Sequence, residues 1–261
     1  MRSVSLAWAF FKVQAAHDLQ YRANFVLQLI NSAVALFTGL VAVSLVFQHT
    51  DTLAGWSRPE LLIVMGTHIV LGGVIASLIE PNMRKLMEDV EQGDFDFVLV
   101  RPADPQLLVS IRNFRLWNLI DVVVGAVVVV SGFADLPVRG GAVRSVAFLA
   151  AAALGVVVMY CMWLILSTLT FRIVKGDEII DLFQGVYQAG RWPVSIYPNW
   201  LRGSLTFVVP LAFAVTVPAE TLSARIDPSF LVVGLGITAA VVAITRLIWR
   251  ANLAKYSGAS G

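Results

Sequence analysis

Long uncharged stretches constrain the fold of this chain more than any other feature. No Asp, Glu, Lys or Arg occurs from Asn24 to Phe47, or between Arg144 and Arg172. A helix needs about 20 consecutive, mostly apolar residues to cross the hydrocarbon core of a bilayer. Similar apolar stretches end near Ile79, run from about Leu116 to Phe133, and run from about Ser229 to Trp249. We therefore predict a membrane protein whose chain crosses the bilayer several times as helices.

The composition agrees with this prediction and leaves little room for a soluble domain. Hydrophobic residues make up 58% of the 261 residues and charged residues 14%, whereas soluble domains are about 45–50% apolar and about 25% charged. The net charge is only +2, and the basic residues are scattered, so we expect no nucleic-acid partner. The single Cys161 lies in an apolar stretch, which excludes an internal disulfide.

The sequence lacks the common motifs of enzymes and metal sites. It contains no G-x-x-x-x-G-K-[ST] phosphate loop, no H-E-x-x-H zinc motif and no G-x-S-x-G nucleophile elbow. Its three histidines, His17, His49 and His68, lie in different segments, which argues against a metal cluster. We therefore expect a non-catalytic membrane subunit with no catalytic residue, no metal and no cofactor of its own.

The apolar stretches predict an all-α, polytopic bundle of about six transmembrane helices in a single domain, over residues 1–256. Residues 1–22 predict an amphipathic helix in the membrane interface, although a frayed extension of the first span is an alternative. Residues 80–115 form the one substantial polar insertion. Residues 178–217 predict broken, re-entrant helices, which membranes tolerate only beside protein or a water-filled cavity. Residues 257–261, all Ser, Gly or Ala, predict a flexible tail.

The distribution of Lys and Arg predicts the orientation. With the amino terminus inside, most of the 19 Lys and Arg residues fall on the inner side of the membrane, as cytoplasmic segments do. We therefore predict that both termini and the polar insertion over 80–115 are cytoplasmic. The localisation that we expect, separately from this charge distribution, is the inner membrane of a bacterial cell.

A short helix in the polar insertion has a sharply divided pattern. Apolar residues recur at helical spacing, at Met83, Leu86, Met87 and Val90. Charged residues cover its other side, at Arg84, Lys85, Glu88, Asp89 and Glu91. Because acids outnumber bases, binding to anionic lipid headgroups is disfavoured. A protein partner that receives this helix is the favoured interpretation, and a solvated connector without a partner is the alternative.

A polar stripe on the predicted fifth span is the second candidate site. Asp181, Gln184, Gln188 and Arg191 fall on one side of an otherwise apolar helix. Polar groups at membrane depth are costly and usually face a bundle interior or a wet cavity. The stripe therefore predicts either the lining of a transport pathway or hydrogen bonds between helices. Asp121, inside the third span, is predicted to be structural and to pair with Arg115 or Arg172.

Two motifs resemble the permease subunits of type 2 ABC exporters. One is E-Q-G-D-F-D-F-V-L-V-R-P over residues 91–102, followed by Pro105. It is similar to the family pattern G-x-L-D-x-x-L-x-R-P, with Phe95 in place of Leu. The other combines W-P-V-S-I-Y-P-N-W-L-R over residues 192–202 with V-P-L-A-F over 209–213 and a later Pro-Ala. It resembles the family's Y-P-x-x-I-F-P-x-W-L-R … P-x-A-F … P-A element.

The resemblance implies two permeases, identical or homologous, that work with two separate ATPase subunits carrying ATP and Mg. It implies an elbow helix over 1–22, a coupling helix near 81–92 that docks on the ATPase, and broken helices near 193–217 that close the outer end of the pathway. The coupling residues predicted on this basis are Met83, Arg84, Leu86, Met87, Glu88, Val90, Glu91, Asp94, Asp96 and Arg101. Tyr197 joins the four residues of the polar stripe as a predicted pathway residue.

Two other functions fit the residues less well. A secondary transporter driven by an ion gradient usually shows inverted repeats and a midplane acid, and no clear repeat is visible here. A membrane scaffold that transports nothing is the third interpretation.

Overall fold

The computed structural model describes residues 22–136, 141–171, 176–207 and 209–256, together with Phe10, Lys12, Gln14 and Asp18. Most of the predicted elbow helix over 1–22 and the whole predicted tail over 257–261 therefore lie outside the described residues. Asp18 accepts a hydrogen bond from the backbone N–H of Leu116 at 2.7 Å. The described ranges contain helices and no β-strand, so the all-α fold is confirmed.

The helices follow one another along the chain with short connections. They are α1 (Arg22–Phe47), α2 (Arg58–Val74), α3 (Glu80–Gln92), α4 (Asp96–Leu99), α5 (Pro105–Ile111), α6 (Leu119–Ala134), α7 (Gly141–Thr168), α8 (Gly176–Gln188), α9 (Asn199–Phe207), α10 (Val217–Leu222) and α11 (Phe230–Leu253). A π-helical turn, Ile75–Ile79, joins α2 to α3, and another, Ala212–Thr216, leads into α10. Two 3-10 turns, Ala189–Arg191 and Val194–Ile196, follow α8.

Five helical segments of the described chain are long and apolar enough to cross a membrane. They are Ala23–Phe47, Arg58–Gln92, Leu116–Ala134, Gly141–Thr168 and Phe230–Leu253. The second of them has 35 residues because α2 and α3 form one continuous rod. Such a rod is about 52 Å long, well beyond the roughly 30 Å of the hydrocarbon core. The chain is therefore a multi-pass membrane protein, and its second span projects past the bilayer as α3.

The sixth expected pass is made of shorter pieces. Tyr187 of α8 lies beside Gly72 near the end of α2, and Gly190 lies beside His68, one turn earlier on α2. A few residues later the Ser195 hydroxyl accepts a hydrogen bond from the Trp56 indole at 2.9 Å. We call the end of the bundle that holds α3 the α3 end, and the opposite end the Trp56 end. Residues 176–196 therefore run from the α3 end to the Trp56 end. Beyond α9 the chain returns inward, where Leu211 lies beside Gly190, and α10 then leads back to the Trp56 end.

Glycines allow the backbones of α2 and α6 to touch. A Cβ placed on Gly66 would lie 2.7 Å from the Val129 backbone nitrogen, and one on Gly125 would lie 2.6 Å from the Val70 nitrogen. Real Cβ atoms do not approach other heavy atoms so closely, so glycine is required at both positions. Gly73 and Gly132 make similar approaches nearer the two ends of the pair. Small residues of this kind allow close packing between helices in lipid, where no hydrophobic driving force exists.

The side chains are distributed as expected for a protein surrounded by lipid. The buried core lies between α2, α3, α7 and the inward-returning segment, and it includes Trp163, Leu164, Leu211 and Val215. Large apolar side chains are exposed on the outer faces of α1, α6, α7 and α11. Most of the apolar stretch of α1 is left unburied by the rest of the chain. Lipid or another membrane subunit must therefore cover these faces.

The contact between α2 and α6 gives the first prediction. Gly125→Ala should destabilise the protein by about 1–3 kcal/mol, because the added methyl group overpacks the contact with Val70. The change is measured by thermal unfolding in detergent micelles, with loss of monodispersity as the signal of unfolding.

Gly236→Ala provides the matched control, because no atom lies within 4 Å of a Cβ at that position in α11. This variant should keep or slightly raise the melting temperature, since alanine favours helix over glycine. Equal melting temperatures for the two variants would contradict the proposed packing.

Candidate functional site

The apolar stripe of α3 is buried inside this chain. Met83 and Leu86 have no exposed surface, and Met87 is 3% exposed. α3 packs against α5, α7 and α8, and Val90 is half-buried against the same core. The helix exists as predicted, but the expectation that its apolar stripe serves a partner is wrong for Met83, Leu86 and Met87, because the chain's own helices occupy that side.

Ion pairs and amide hydrogen bonds clamp α3 to the segment around α5. Asp89 is buried and binds Arg112 at 2.6 Å and Lys85 at 3.0 Å. The Asn82 side-chain amide donates to the Asn113 carbonyl at 2.7 Å, and the Asn113 backbone N–H donates back to Asn82 at 2.9 Å. These contacts join α3 and α5 into one block, and the pairing reduces the cost of burying the Asp89 charge.

The same block is tied to α11. Phe95 is fully buried and meets the rings of Trp249 and Tyr256 edge to face, at centroid distances of 6.4 and 5.2 Å. Asp104 pairs with Arg246 of α11. Hydrogen bonds from this guanidinium hold the pKa of the Asp104 carboxyl below its ordinary value. The motif over residues 91–102 is therefore attached to α11 and the residues after it through Phe95, and the chain just after the motif is attached to α11 through Asp104.

The solvent-facing side of this block carries charges and two large apolar side chains. Glu88, Glu91, Asp94 and Arg101 are exposed, whereas Arg84 and Asp96 are half-buried. Arg84 pairs with Glu80 at 2.9 Å. On and just after α4, Phe97 is 68% exposed and Val100 is 80% exposed. We call Phe97 and Val100, with the exposed charges around them, the α4 surface.

The prediction from sequence missed Phe97 and Val100 as surface residues. Their spacing of three residues places them on one side of a helical turn, while Phe95 and Val98 point into the core. The only available signal was that two of the apolar residues in this motif share a helix face. The burial of Phe95 by α11 decides which pair faces outward, and the sequence could not reveal that contact.

A cavity of about 270 Å³ lies between α1, α2, α7 and α8, in the membrane part of the bundle. Its apolar walls include Met65, Ile69, Trp163 and Phe183. The polar residues that line it are His68, Glu80, Asp121, Gln184, Tyr187, Gln188 and Arg191. The His68 ring stacks on Tyr187 with 4.4 Å between the centroids, and the Tyr187 hydroxyl donates to the His68 carbonyl at 2.7 Å.

Three of the five predicted pathway residues meet at this cavity. Gln184, Gln188 and Arg191 line it. Asp181 is exposed and lies outside the lining, and the Tyr197 hydroxyl instead donates to the Ala189 carbonyl at 2.9 Å. The stripe therefore borders a cavity over its last three members. Whether this cavity belongs to a transport pathway stays a prediction.

Asp121 is held by α1 rather than by an arginine. The Gln28 amide donates to one carboxylate oxygen at 2.9 Å, and the Ser32 hydroxyl donates to the other. The expected pairing with Arg115 is wrong, because no ion pair joins these two described residues and the carboxylate is instead bound by neutral side chains of α1. Arg172 lies outside the described residues. The contact attaches α1 to α6, and Asp121 is also one of the residues that line the cavity.

A polar cluster joins four segments at the Trp56 end. The Arg225 guanidinium lies 4.2 Å above the Trp56 ring and binds both carboxylate oxygens of Glu60, at 2.7 and 2.8 Å. Glu60 also accepts from the backbone N–H and hydroxyl of Ser57 at 2.7 Å, which completes a capping box at the start of α2. With the bond from Trp56 to Ser195, the cluster ties α2 to the segments after α8 and α10.

Comparison with known protein families identifies the family of this chain. A family model described as ABC-2 family transporter protein matches residues 33–260. The chain belongs to the ABC-2 transporter family. No curated protein and no solved structure was found to match the chain. As an ABC-2 permease, it is a membrane component of an ABC-type transporter, and the resemblance noted in its two motifs is confirmed at the level of the family.

The Trp56-end cluster of this ABC-2 permease gives the second prediction. Glu60→Gln and Arg225→Gln should each destabilise the protein, and a double-mutant cycle should give a coupling of about 1 kcal/mol. The partly buried, bidentate geometry supports a value at the upper end for such pairs. Equilibrium unfolding in micelles measures the coupling.

Arg58→Gln serves as the control, because Arg58 is exposed on the same turn as Glu60. Its effect should add to that of Glu60→Gln. If the effects of Glu60→Gln and Arg225→Gln are also simply additive, the cluster does not hold these segments together.

Proposed function

We propose that this permease is the membrane subunit of an ATP-driven exporter that pairs with a second permease, identical or homologous. Separate ATPase subunits would bind ATP and Mg and perform the hydrolysis, since the permease sequence contains no phosphate-binding loop. The observation that carries the proposal is the α4 surface, where Phe97 and Val100 are exposed on a block that is rigidly attached to the transmembrane rod. Exposed apolar side chains surrounded by charges are typical of docking surfaces.

The ATPase would dock on the α4 surface rather than on the apolar stripe of α3. Met83, Leu86 and Met87 are buried. Asp94 and Arg101 are exposed and flank the apolar pair in sequence, and Glu88 and Glu91 are exposed on α3. The excess of acids favours a partner whose groove is basic.

The continuous α2–α3 rod supports a mechanism for coupling. Force applied at the α4 surface would reach α2 directly, because no loop separates α3 from α2. α2 also lines the cavity and begins at the Trp56-end cluster. Closure of two ATPase subunits on ATP would move this rod and shift the paired permeases between inward and outward states. The free energy comes from the different affinities of those two states for ATP.

The proposal places the α3 end in the cytoplasm of a bacterial cell and the Trp56 end outside. The excess of Lys and Arg near the α3 end supports this orientation. Both termini would then be cytoplasmic.

Docking is tested with Phe97→Ala combined with Val100→Ala. The double variant should lower both the recovery of the ATPase subunit and the ATPase activity that copurifies with the permease by about tenfold, because exposed apolar anchors dominate such interfaces. Copurification with the neighbouring genes expressed together, followed by an ATPase assay of the complex, measures both quantities.

Trp200→Ala is the matched control for that experiment. Trp200 is 73% exposed but lies in α9, away from the α4 surface, so the ATPase should be recovered undiminished. The proposed function fails if no subunit with a P-loop copurifies with the unmodified chain. It also fails if transport collapses with an uncoupler and consumes no ATP, which would favour a secondary transporter.

Orientation has a separate test by cysteine labelling in intact cells. Asp51→Cys, in the loop after α1, should react with a membrane-impermeant maleimide from outside. Asp94→Cys should react only after permeabilisation, since it lies on the α4 surface. Cys161 is buried and should contribute little background. The reverse labelling pattern would invert the proposed topology.

A further inference from the structure

Two described residues of the cavity wall have side-chain nitrogens without a hydrogen-bond partner. Among the described residues, His68 Nδ1 and Trp163 Nε1 have no hydrogen-bond partner. His68 is 6% exposed and Trp163 is 2% exposed, and both residues line the cavity. Buried donors and acceptors almost always have a partner in the protein or in bound molecules. Both nitrogens are closed off from the cavity in this structure, and His68 Nδ1 lies on the side of Gly190, so the occupant has to be inferred from the charges and rings of the wall.

The charges that line the cavity are unequally distributed. Glu80 and Asp121 lie toward the α3 end, whereas Arg191 lies toward the Trp56 end beside Met65. Glu80 is paired with Arg84, but the carboxylate of Asp121 is held only by the neutral donors Gln28 and Ser32. The Asp121 carboxylate therefore accepts hydrogen bonds, but no cationic side chain among the described residues neutralises its charge. A cationic group would complete this environment.

The distance between the charged ends gives the cavity a length. Asp121 lies beside Gly73 of α2, and Arg191 lies beside Met65, eight residues earlier on the same helix. The rise of a helix makes this separation about 12 Å along α2. An occupant whose single charge lies at Asp121 can therefore keep that charge far from the Arg191 guanidinium.

Aromatic rings form the middle of the cavity. Trp163 and Phe183 meet edge to face with 4.9 Å between the centroids, and His68 and Tyr187 are stacked nearby. Flat apolar groups pack favourably on such rings, and aromatic faces also attract cations. The volume of about 270 Å³ is slightly below the roughly 300–1,000 Å³ of pockets that enclose a whole small molecule. The cleft would hold most of a small ligand and leave part of it uncovered.

We propose that this cavity binds an amphipathic organic cation, with its flat apolar body among the aromatic rings and its charged amine at Asp121. The proposal rests on the proposed function only in making this cation a transport substrate; the binding itself does not require the ATPase. Gln184 and Gln188, which border the cleft, supply neutral hydrogen-bonding groups.

The test uses two dyes that share a flat tricyclic body but differ in charge. Rhodamine 6G is a cation and fluorescein is an anion at pH 8. Fluorescence anisotropy with the full-length chain in nanodiscs of neutral lipid should give saturable binding of rhodamine 6G, with at least about tenfold weaker binding of fluorescein.

Variants of opposite charge separate the electrostatic role from a structural one. Asp121→Asn should weaken rhodamine 6G binding by about tenfold, because a charge-assisted contact is lost. Arg191→Gln should leave the affinity unchanged or raise it, since it removes a positive charge from the same cavity. Asp51→Asn, which removes an exposed carboxylate outside the cavity, should have no effect. Melting temperatures of all variants identify any that fail to fold.

Several results would overturn the inference. Preferential binding of fluorescein that is lost in Arg191→Gln would mean that the cavity takes anions. Rhodamine 6G binding that Asp121→Asn leaves unchanged would remove the carboxylate from the site, as would an equal loss of affinity in Asp51→Asn. If Asp121→Asn does not fold, Gln28→Leu with Ser32→Ala should strengthen binding by freeing the carboxylate, and weaker binding would contradict the proposal. These outcomes leave ATPase docking untouched, because its test depends on copurification.

Discussion

The direct contact between the backbones of α2 and α6 is the constraint on which the rest of the structure depends. Gly66 and Gly125 lie where no side chain fits, so the two helices form one rigid unit across the membrane. In lipid, such close packing replaces the hydrophobic effect as the force that joins helices. The contact fixes the position of α2, and α2 in turn carries the capping box at one end and continues into α3 at the other.

The continuous α2–α3 rod connects three regions of the structure. The Trp56-end cluster holds the first turn of the rod, the cavity lies along its middle, and the α4 surface is clamped to its far end through Asp89 and Arg112. Packed helices of this kind transmit displacement because close-packed interiors deform little. A movement imposed at the α4 surface would therefore be felt at the cavity and at the Trp56 end without a chain of separate local rearrangements.

Local patterns in the sequence were sufficient to predict the helices, but they were insufficient to predict which other helices pack against them. The amphipathic helix predicted from Met83, Leu86 and Met87 is present as α3, and Gly93 ends it in a left-handed conformation. Amphipathicity, however, states only that one face is buried, and it does not identify what covers that face. Here α5, α7 and α8 cover it. For the same reason the sequence could not single out Phe97, whose exposure depends on Phe95 filling the site beside α11.

The sequence by itself determined that this chain lies in a membrane as an all-α bundle, and its motifs pointed to the ABC-2 family. Hydropathy and helix signals act over about 20 neighbouring residues, so they can be read without the fold. Only the tertiary structure decided that Asp121 faces Gln28, that the polar stripe borders a cavity, and that α3 turns its apolar side inward. Those outcomes depend on residues distant in sequence that become neighbours only when the helices pack.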